Sequence, residues 1–304
     1  MGTNRRQFLT AAGLTGLGMA GMGKLLTEDL RHPDLVAAAE RPKSKLLQRF
    51  AVLADTGTGS LQQYAVGRAL AQYQQKHPFD TVILAGDNIY TNGEFEKIKP
   101  VFRDPYQDLL GRGVKFYASL GNHDVRTDNG NRQVEYPDFN MNGRRYYTHG
   151  KGDVRFFVVE SNALINPNST DRATQLAWLD RELGASKAKW KIIYGHHNIY
   201  SAGVYGVNEV MRRDVTPILK KHNIKLWING HDHNYQRSQP IDGTTYLVCG
   251  GGGAKLYPVK PQSWTAFAQS VHSFGIVEVY ADQILLTGID TYGRAIDRGI
   301  VNFG

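Results

Sequence analysis

Short apolar runs recur along this chain, and each one stops at a residue with an oxygen or nitrogen to offer. Arg49-Phe50-Ala51-Val52-Leu53-Ala54 gives way to Asp55-Thr56-Gly57, and Thr81-Val82-Ile83-Leu84-Ala85 to Gly86-Asp87-Asn88-Ile89-Tyr90. Val114 to Leu120 leads into Gly121-Asn122-His123-Asp124, Ile192-Ile193-Tyr194 into Gly195-His196-His197, and Ile224 to Ile228 into Asn229-Gly230-His231-Asp232-His233. Runs of this length bounded by glycine predict buried strands. Helical spacing separates them: Leu61, Ala65, Ala69, Leu70 and Tyr73 first, then Leu176, Leu179 and Leu183 within 174–183, where Gly184 is the expected stop. The order up to Ile228 is therefore mostly β-α-β. Beyond it, 244–248, 274–280 and 283–289 predict strands joined by short turns, with Ala281-Asp282 as a hairpin turn. Crossover units followed by a meander predict an α/β fold of two packed sheets with helices outside. Residues 127–143, rich in Asn, Asp and Gly, predict a long loop at the rim of a pocket.

In open α/β sheets, ligands bind beyond the carboxyl ends of the strands, so the donors that end these runs are candidates for one site. On extended backbone, positions i and i+2 share a face, and His231 and His233 then address one ligand site or two adjacent ions. Carboxylates, an amide oxygen and imidazoles suit iron, zinc or manganese and disfavour a soft thiolate site. A carboxylate such as that of Asp87 has two oxygens and can bridge two ions about 3.5–4 Å apart, the spacing used by two-metal hydrolases. Cys249 is the only cysteine, so there is no disulfide framework, and its place at the end of an apolar run predicts a buried, inert thiol.

The amino terminus carries a different signal. Asn4-Arg5-Arg6-Gln7-Phe8-Leu9 is a twin-arginine pattern followed by a small and apolar stretch to Gly23, with Ala37-Ala38-Ala39 as a candidate cleavage site. The stretch falls short of the roughly 20 apolar residues that a membrane span needs, and export with no stable span in the mature form is the expectation. Residues 1–45 are accordingly assigned to a twin-arginine export signal and linker, and 46–304 to one catalytic domain. The expected destination is the periplasm or the extracellular space, and the export machinery is an expected partner. A folded-export route suits a protein that acquires metal before leaving the cytoplasm. Net charge is +8, with basic residues scattered and no dense Lys/Arg block, which favours anionic substrates without supporting nucleic-acid binding.

Asp55-x-Gly57, Gly86-Asp87-x-x-Tyr90, Gly121-Asn122-His123-Asp124, Ile193-x-x-His196 and Gly230-His231-x-His233 resemble the ordered motifs of the calcineurin-like metallophosphoesterases. Asp87-Asn88-Ile89-Tyr90, with Gly57 where most of that superfamily has a histidine, is similar to the small, single-domain, tartrate-resistant type of purple acid phosphatase. The resemblance runs from Arg49 to the carboxyl terminus and includes Gln175 to Leu179. It implies a four-layer αββα sandwich of two mixed β-sheets flanked by helices. It also implies a binuclear centre in which Asp55, Asp87, Tyr90 and His233 hold Fe3+ while Asp87, Asn122, His196 and His231 hold a divalent ion, Fe2+, Zn2+ or Mn2+. His123 would be the proton donor or transition-state stabiliser. The implied reaction is acid hydrolysis of phosphate monoesters, small phosphorylated substrates, by a metal-bound hydroxide. A phosphodiesterase or nucleotide hydrolase on the same scaffold is the alternative, and a noncatalytic metal-binding protein is a third reading. The family often carries one more histidine after the fourth motif. Tyr205 stands there, so His197, Asn122 and Tyr205 are the candidate substrate-binding residues, with Arg237 as a further candidate for the phosphate pocket and Tyr235, which could line it too, expected instead in a packed rim.

Overall fold

Period-two burial along the strands builds the molecule. The structure, a computed structural model, describes residue 42 and residues 44–303, so the expected export signal lies outside the described residues. In chain order the strands are β1 (Leu46–Leu53), β2 (Thr81–Ala85), β3 (Lys115–Ser119), β4 (Tyr147–Lys151), β5 (Val154–Val158), β6 (Trp190–Tyr194), β7 (Leu226–Asn229), β8 (Tyr235–Ser238), β9 (Thr245–Cys249), β10 (Thr265–Gln269), β11 (Ser273–Tyr280), β12 (Gln283–Asp290) and β13 (Ala295–Asn302). Helices α1 (Leu61–Lys76), α2 (Gln107–Gly111), α3 (Asn131–Val134), α4 (Ser161–Ile165), α5 (Thr170–Ala185), α6 (Glu209–Asp214) and α7 (Thr216–Lys221) lie between them.

Two mixed sheets result. The first has the order β13-β12-β11-β1-β2-β3, the second β10-β8-β9-β7-β6-β5-β4. Strands β1, β2 and β3 run parallel, as do β5, β6, β7 and β9, and the antiparallel pairs extend both sheets. Side chains at alternate positions of β5, β6 and β7 divide cleanly. Phe156, Val158, Ile192, Tyr194, Leu226 and Ile228 share a core with Phe50 and Val52 of the first sheet. Phe157, Ile193 and Trp227 point the other way, into Leu164, Leu179, Leu183, Met211 and Leu219 of α4 to α7. Between the sheets, the Phe50 and Phe156 rings meet edge to face at 4.9 Å, and the Trp190 indole donates to the Tyr280 carbonyl at 2.8 Å. This is the αββα sandwich, and the carboxyl ends of the parallel strands in both sheets carry the candidate residues.

Several expectations change in detail. Helix α5 starts at Thr170 and runs through Gly184 to Ala185, because nothing but the His222 ring stands near Gly184 and the chain leaves the helix only at Ser186. The expected loop at 127–143 is folded. Val134, Phe139 and Met141 are buried, Phe139 packs on Phe102 at 4.9 Å, and Asn140 donates to the Phe116 carbonyl at 2.8 Å. Its Asn and Asp residues supply positive φ at Asp128, Asn129, Asn140 and Asn142, so short helical turns can follow one another. Strands β4, β5, β8, β10 and β13 were not anticipated from the apolar runs. In β13 only alternate residues are buried, so no continuous apolar run marks it. The hairpin turn at Ala281-Asp282 is present between β11 and β12.

Candidate metal centre

Asp55 follows β1, Asp87 and Tyr90 follow β2, and Asn122 and His123 follow β3. His196 follows β6, while His231 and His233 follow β7. The first five residues come from one sheet and the three histidines from the other, and the loops meet with almost no space between them. A Cβ on Gly86 would lie 2.6 Å from the His196 ring. The His231 amide donates to Asp55 Oδ2 at 2.9 Å, tying the two sheets at the site itself. Asp55, Asp87 and His231 have φ of 56°, 53° and 70°, left-handed backbone held at non-glycine residues, a kind of strain that clusters at functional sites. With His231 in that conformation, His231 and His233 do not share a face as they would on a strand.

One group of donors gathers around Tyr90. Its hydroxyl is 2.9 Å from Asp87 Oδ2, 3.1 Å from Asp55 Oδ1 and 3.1 Å from His233 Nε2. The Nδ1 of His233 sits 2.8 Å from the Lys255 carbonyl, which can only accept, so the neutral ring keeps its hydrogen there and turns a bare Nε2 inward. One phenolic proton therefore faces three acceptors. Ligand atoms of Asp55, Asp87 and His233 all lie within 4.8 Å of one another. Burial and the charges of Asp55 and Asp87 push the Tyr90 phenol well above its ordinary range, so a phenolate here requires a cation.

A second group faces it. His196 Nδ1 is 3.0 Å from the Ala85 carbonyl, leaving Nε2 toward Asn122 Oδ1 at 3.1 Å, His231 Nδ1 at 3.2 Å and Asp87 Oδ2 at 3.4 Å. Again lone pairs converge. Burial opposes the His196 charge, but Asp87 and Asp55 raise the ring to about 9. Burial works the other way on Asp87, yet His196 and His123 hold its carboxyl far below the usual carboxylate range. Burial and the neighbouring His196 lower His231 to about 3. Asp87 Oδ2 thus lies within 3.4 Å of donors in both groups. The donor set, hard oxygens with imidazoles of which His196 and His233 have their far nitrogens anchored on backbone carbonyls, fits metal ions.

Position 57 has no room for any side chain. A Cβ there would lie 2.1 Å from the Asn88 carbonyl oxygen, because the chain is pinned by Tyr90 N donating to Gly57 O at 2.8 Å. His123 lies beside the centre, with its backbone N–H on Asp87 Oδ1 at 2.9 Å, Nδ1 2.6 Å from the Thr91 carbonyl and Nε2 4.0 Å from Asp87 Oδ2. The Tyr205 ring stacks on His231 at 3.8 Å. His197 does not open toward solvent: it is buried behind His196 and His231 with Nδ1 2.8 Å from Ser161 Oγ, and burial keeps its ring neutral. Tyr235 and Arg237 do not line a phosphate pocket either. Tyr235 is fully buried with its hydroxyl on Asp297, and Arg237 forms a two-pronged ion pair with the same carboxylate at 2.7 and 2.8 Å. Cys249 is buried, and burial pushes its thiol up out of reactive range.

Residues 48–235 match the calcineurin-like phosphoesterase family. The chain belongs to that family. Membership makes it a metal-dependent phosphoesterase, a hydrolase, and relatives narrow the branch. It is 29% identical over 264 residues to "Purple acid phosphatase 7" of Arabidopsis thaliana, covering 78% of this chain and 77% of that one. It is 25% identical over 271 residues to "Tartrate-resistant acid phosphatase type 5" of Homo sapiens, covering 77% and 83%. Among solved structures, the phosphoesterase superposes on the purple acid phosphatase PPD1 of yellow lupin with TM-score 0.72 and 18% identity, over 86% of this chain and 54% of that one. GAP50, described as the anchor in the inner membrane complex of Plasmodium, gives 0.74 and 20% over 85% and 89%.

Three supporting residues were given no role by the motifs of this phosphoesterase. Asp124, fully buried, accepts from the backbone N–H groups of Asn88, Ile89 and Gly121 and so ties the Asp87 loop to the Asn122 loop. Burial and the Asp87 charge push its carboxyl upward while those N–H groups pull it back. Asp232, between the two histidines, accepts from Ser201 Oγ and from the amides of Val204 and Tyr205. Tyr257 stacks on His233 at 4.1 Å. For Asp124 the available signal was its adjacency to His123; for Tyr257 there was none.

Proposed function

We propose that the protein is a binuclear acid phosphatase that hydrolyses phosphate monoesters. The observation that carries this reading is the Tyr90 hydroxyl at 2.9–3.1 Å from Asp87, Asp55 and His233, beside a position 57 that cannot hold a ligand side chain. Asp55, Asp87, Tyr90 and His233 would hold Fe3+, and Asp87, Asn122, His196 and His231 a divalent ion, Fe2+, Zn2+ or Mn2+, with Asp87 shared. When bound, the pair would neutralise the substrate's phosphate charge and lower the pKa of a coordinated water. The chain does the rest. Tyr90, deprotonated at acidic pH against a free value of about 10, fits a trivalent rather than a divalent ion. His123 keeps Nδ1 on Thr91, and its Nε2, 3.4 Å from Arg126 Nη2 and 4.0 Å from Asp87 Oδ2, would hand a proton to the departing alkoxide. Asn122 and Tyr205 line the substrate side.

Loading the protein with iron and a divalent metal tests this reading. Wild type is expected to absorb visible light by phenolate-to-iron charge transfer and to cleave several phosphomonoesters at acidic pH. Tyr90→Phe, which keeps the ring but removes the oxygen, is expected to lose the band. A colourless, iron-loaded, active wild type, or a band that survives in Tyr90→Phe, would remove the trivalent assignment. Faster cleavage of bis-esters than of monoesters would select the phosphodiesterase alternative.

We also propose export in folded form by the twin-arginine route to the periplasm or extracellular space, supported by Arg5 and Arg6. Replacing both with lysine is expected to leave metal-loaded precursor in the cytoplasm, and unaltered export of the double variant contradicts the proposal. Nucleic acid is not a partner in this reading, and no helix among the described residues is long and apolar enough to cross a membrane.

A further inference from the structure

We propose that the end of the molecule opposite the metal-ligand cluster docks on an anionic phospholipid surface through lysines that introduce the strands. The basic residues are scattered along the sequence, and the topology gathers them. The parallel strands of both sheets finish at the cluster, so their amino ends share the far end. Lys45 precedes β1, Lys115 opens β3, Lys187 and Lys189 lead into β6, Lys225 leads into β7, and Lys76 ends α1 on the way to β2. A strand of five residues sets its two ends about 15 Å apart. Lys225 is half-buried and the other five lysines are exposed. Lys220 and Lys221, at the same end, pair with Asp242 at 3.9 Å and Asp180 at 2.8 Å. None of the six strand-leading lysines has a carboxylate partner among the described residues; Lys189 lies instead over the Phe303 ring at 4.7 Å. The exposed carboxylates of Asp80, Asp153 and Asp282 share this end and leave the lysines in excess.

Lys191 registers the local field. Its ammonium donates to the Leu183 carbonyl at 2.7 Å, and burial together with the charge of Lys187 lowers it from its ordinary value. Like charges held together without counter-charges suit an anionic partner, and their attraction reaches about one Debye length, roughly 8 Å at physiological salt. The residue type points to a diffuse surface. All six are lysines, point charges on flexible stems, where nucleic-acid readers favour arginine forks and interleaved aromatic rings. A groove of about 830 Å³ opens among the lysines, bordered by Leu46, Leu47, Pro78 and Tyr117 beside Lys115. Tyr117 rests one face on the His149 ring at 3.9 Å and is half-buried. Apolar side chains and a tyrosine next to a lysine fit the boundary between lipid head groups and acyl chains, whereas a soluble polyanion would use the charges alone. Docked in this way, the carboxyl ends of the strands, and the metal-ligand cluster with them, face the water phase.

The test is co-sedimentation of the full, metal-loaded chain with vesicles, either of phosphatidylcholine alone or of phosphatidylcholine and phosphatidylglycerol in equal parts. Wild type is expected to sediment with the anionic vesicles and to leave them as salt is raised toward 1 M, where the Debye length is about 3 Å. Replacing Lys115, Lys187, Lys189 and Lys225 together by glutamine is expected to weaken partitioning by on the order of several hundredfold, from about fivefold per lysine near the surface, with metal content and melting temperature retained. The pair Lys187→Gln and Lys189→Gln alone is expected to weaken it about twenty-five-fold, which keeps the test decisive if the fourfold variant does not fold. Equal binding to both vesicle types, or binding that ignores salt, overturns the docking face. Anionic binding that survives in the variants overturns it too, by assigning the affinity to the amino-terminal stretch. So does retention on soluble polyphosphate without vesicle binding. Because vesicle binding needs no turnover, this inference and the phosphatase reading fail separately.

Discussion

The two nitrogens of His123 have different work. A carbonyl can only accept, so Nδ1, 2.6 Å from Thr91 O, carries the hydrogen that fixes the ring, and Nε2 faces Arg126 Nη2 at 3.4 Å and Asp87 Oδ2 at 4.0 Å on the side of the centre. The side chain belongs to neither donor group, so His123→Ala is expected to retain both metals and to lower turnover by about 10²–10⁴-fold. Metal analysis beside steady-state rates on several monoesters checks this, and unchanged turnover or lost metal contradicts the role. At this scale the sequence was most informative where a strand stops: Asp55, Asp87, Asn122, His196, His231 and His233 stand two to four residues past a strand end and do converge. It was silent where the contact crosses the fold. Asp124 holds Asn88 from 36 positions away, and Tyr257 covers His233 from a segment with no pattern of its own. Tyr235 packs, as the sequence favoured, and Asp297 of β13 draws its hydroxyl into the core, whereas Arg237, the pocket candidate, is held by the same carboxylate.

At the scale of elements, most of the crossover strands and the β11–β12 hairpin were legible, and the edge strands β4, β10 and β13 were not. Parallel strands buried on both faces read as continuous apolar runs, whereas β4 is an edge strand of mixed composition, Tyr-Thr-His-Gly-Lys, that shows its partner only in three dimensions. That strand carries His149, whose ring lies parallel to Tyr117 at 3.9 Å and nearly parallel to Phe156 at 4.6 Å, with Nε2 3.0 Å from the Tyr194 hydroxyl. Burial, helped by Arg155, lowers it to about 3. The unfolded chain then takes up this proton first, so the stability His149 contributes is complete above about pH 6.5 and drains away as pH falls toward 3. By pH 5 the loss approaches about 2 kcal/mol. In His149→Phe, which preserves the stack, the fall in unfolding free energy between pH 7 and pH 5 is expected to be smaller by about that amount. Denaturant titrations at the two pH values measure it, and parallel losses in both proteins contradict it.

For the whole molecule, the centre lies where the loops of the two sheets meet, and its donors are drawn from both. Asp55, Asp87, Tyr90 and Asn122 come from the first, His196, His231 and His233 from the second. Ions held by both sets favour the folded state over the unfolded one by mass action. Chelation is therefore expected to lower the melting temperature by on the order of 10 °C, for sites filled about a thousandfold above their dissociation constant. Calorimetry on loaded and stripped protein decides it, and an unchanged transition after verified metal loss contradicts the assigned ligands. The same division also sets a timetable for synthesis. Asp55 and His231 are 176 residues apart yet hydrogen-bonded, and β1 pairs with β11 as well as β2. A chain still emerging from the ribosome shows its first ligand long before its last, and its first strand waits for nearly the final one to complete its ladder. A nascent chain that has not yet reached His233 lacks part of the second set of donors, so the complete centre cannot assemble before that residue emerges.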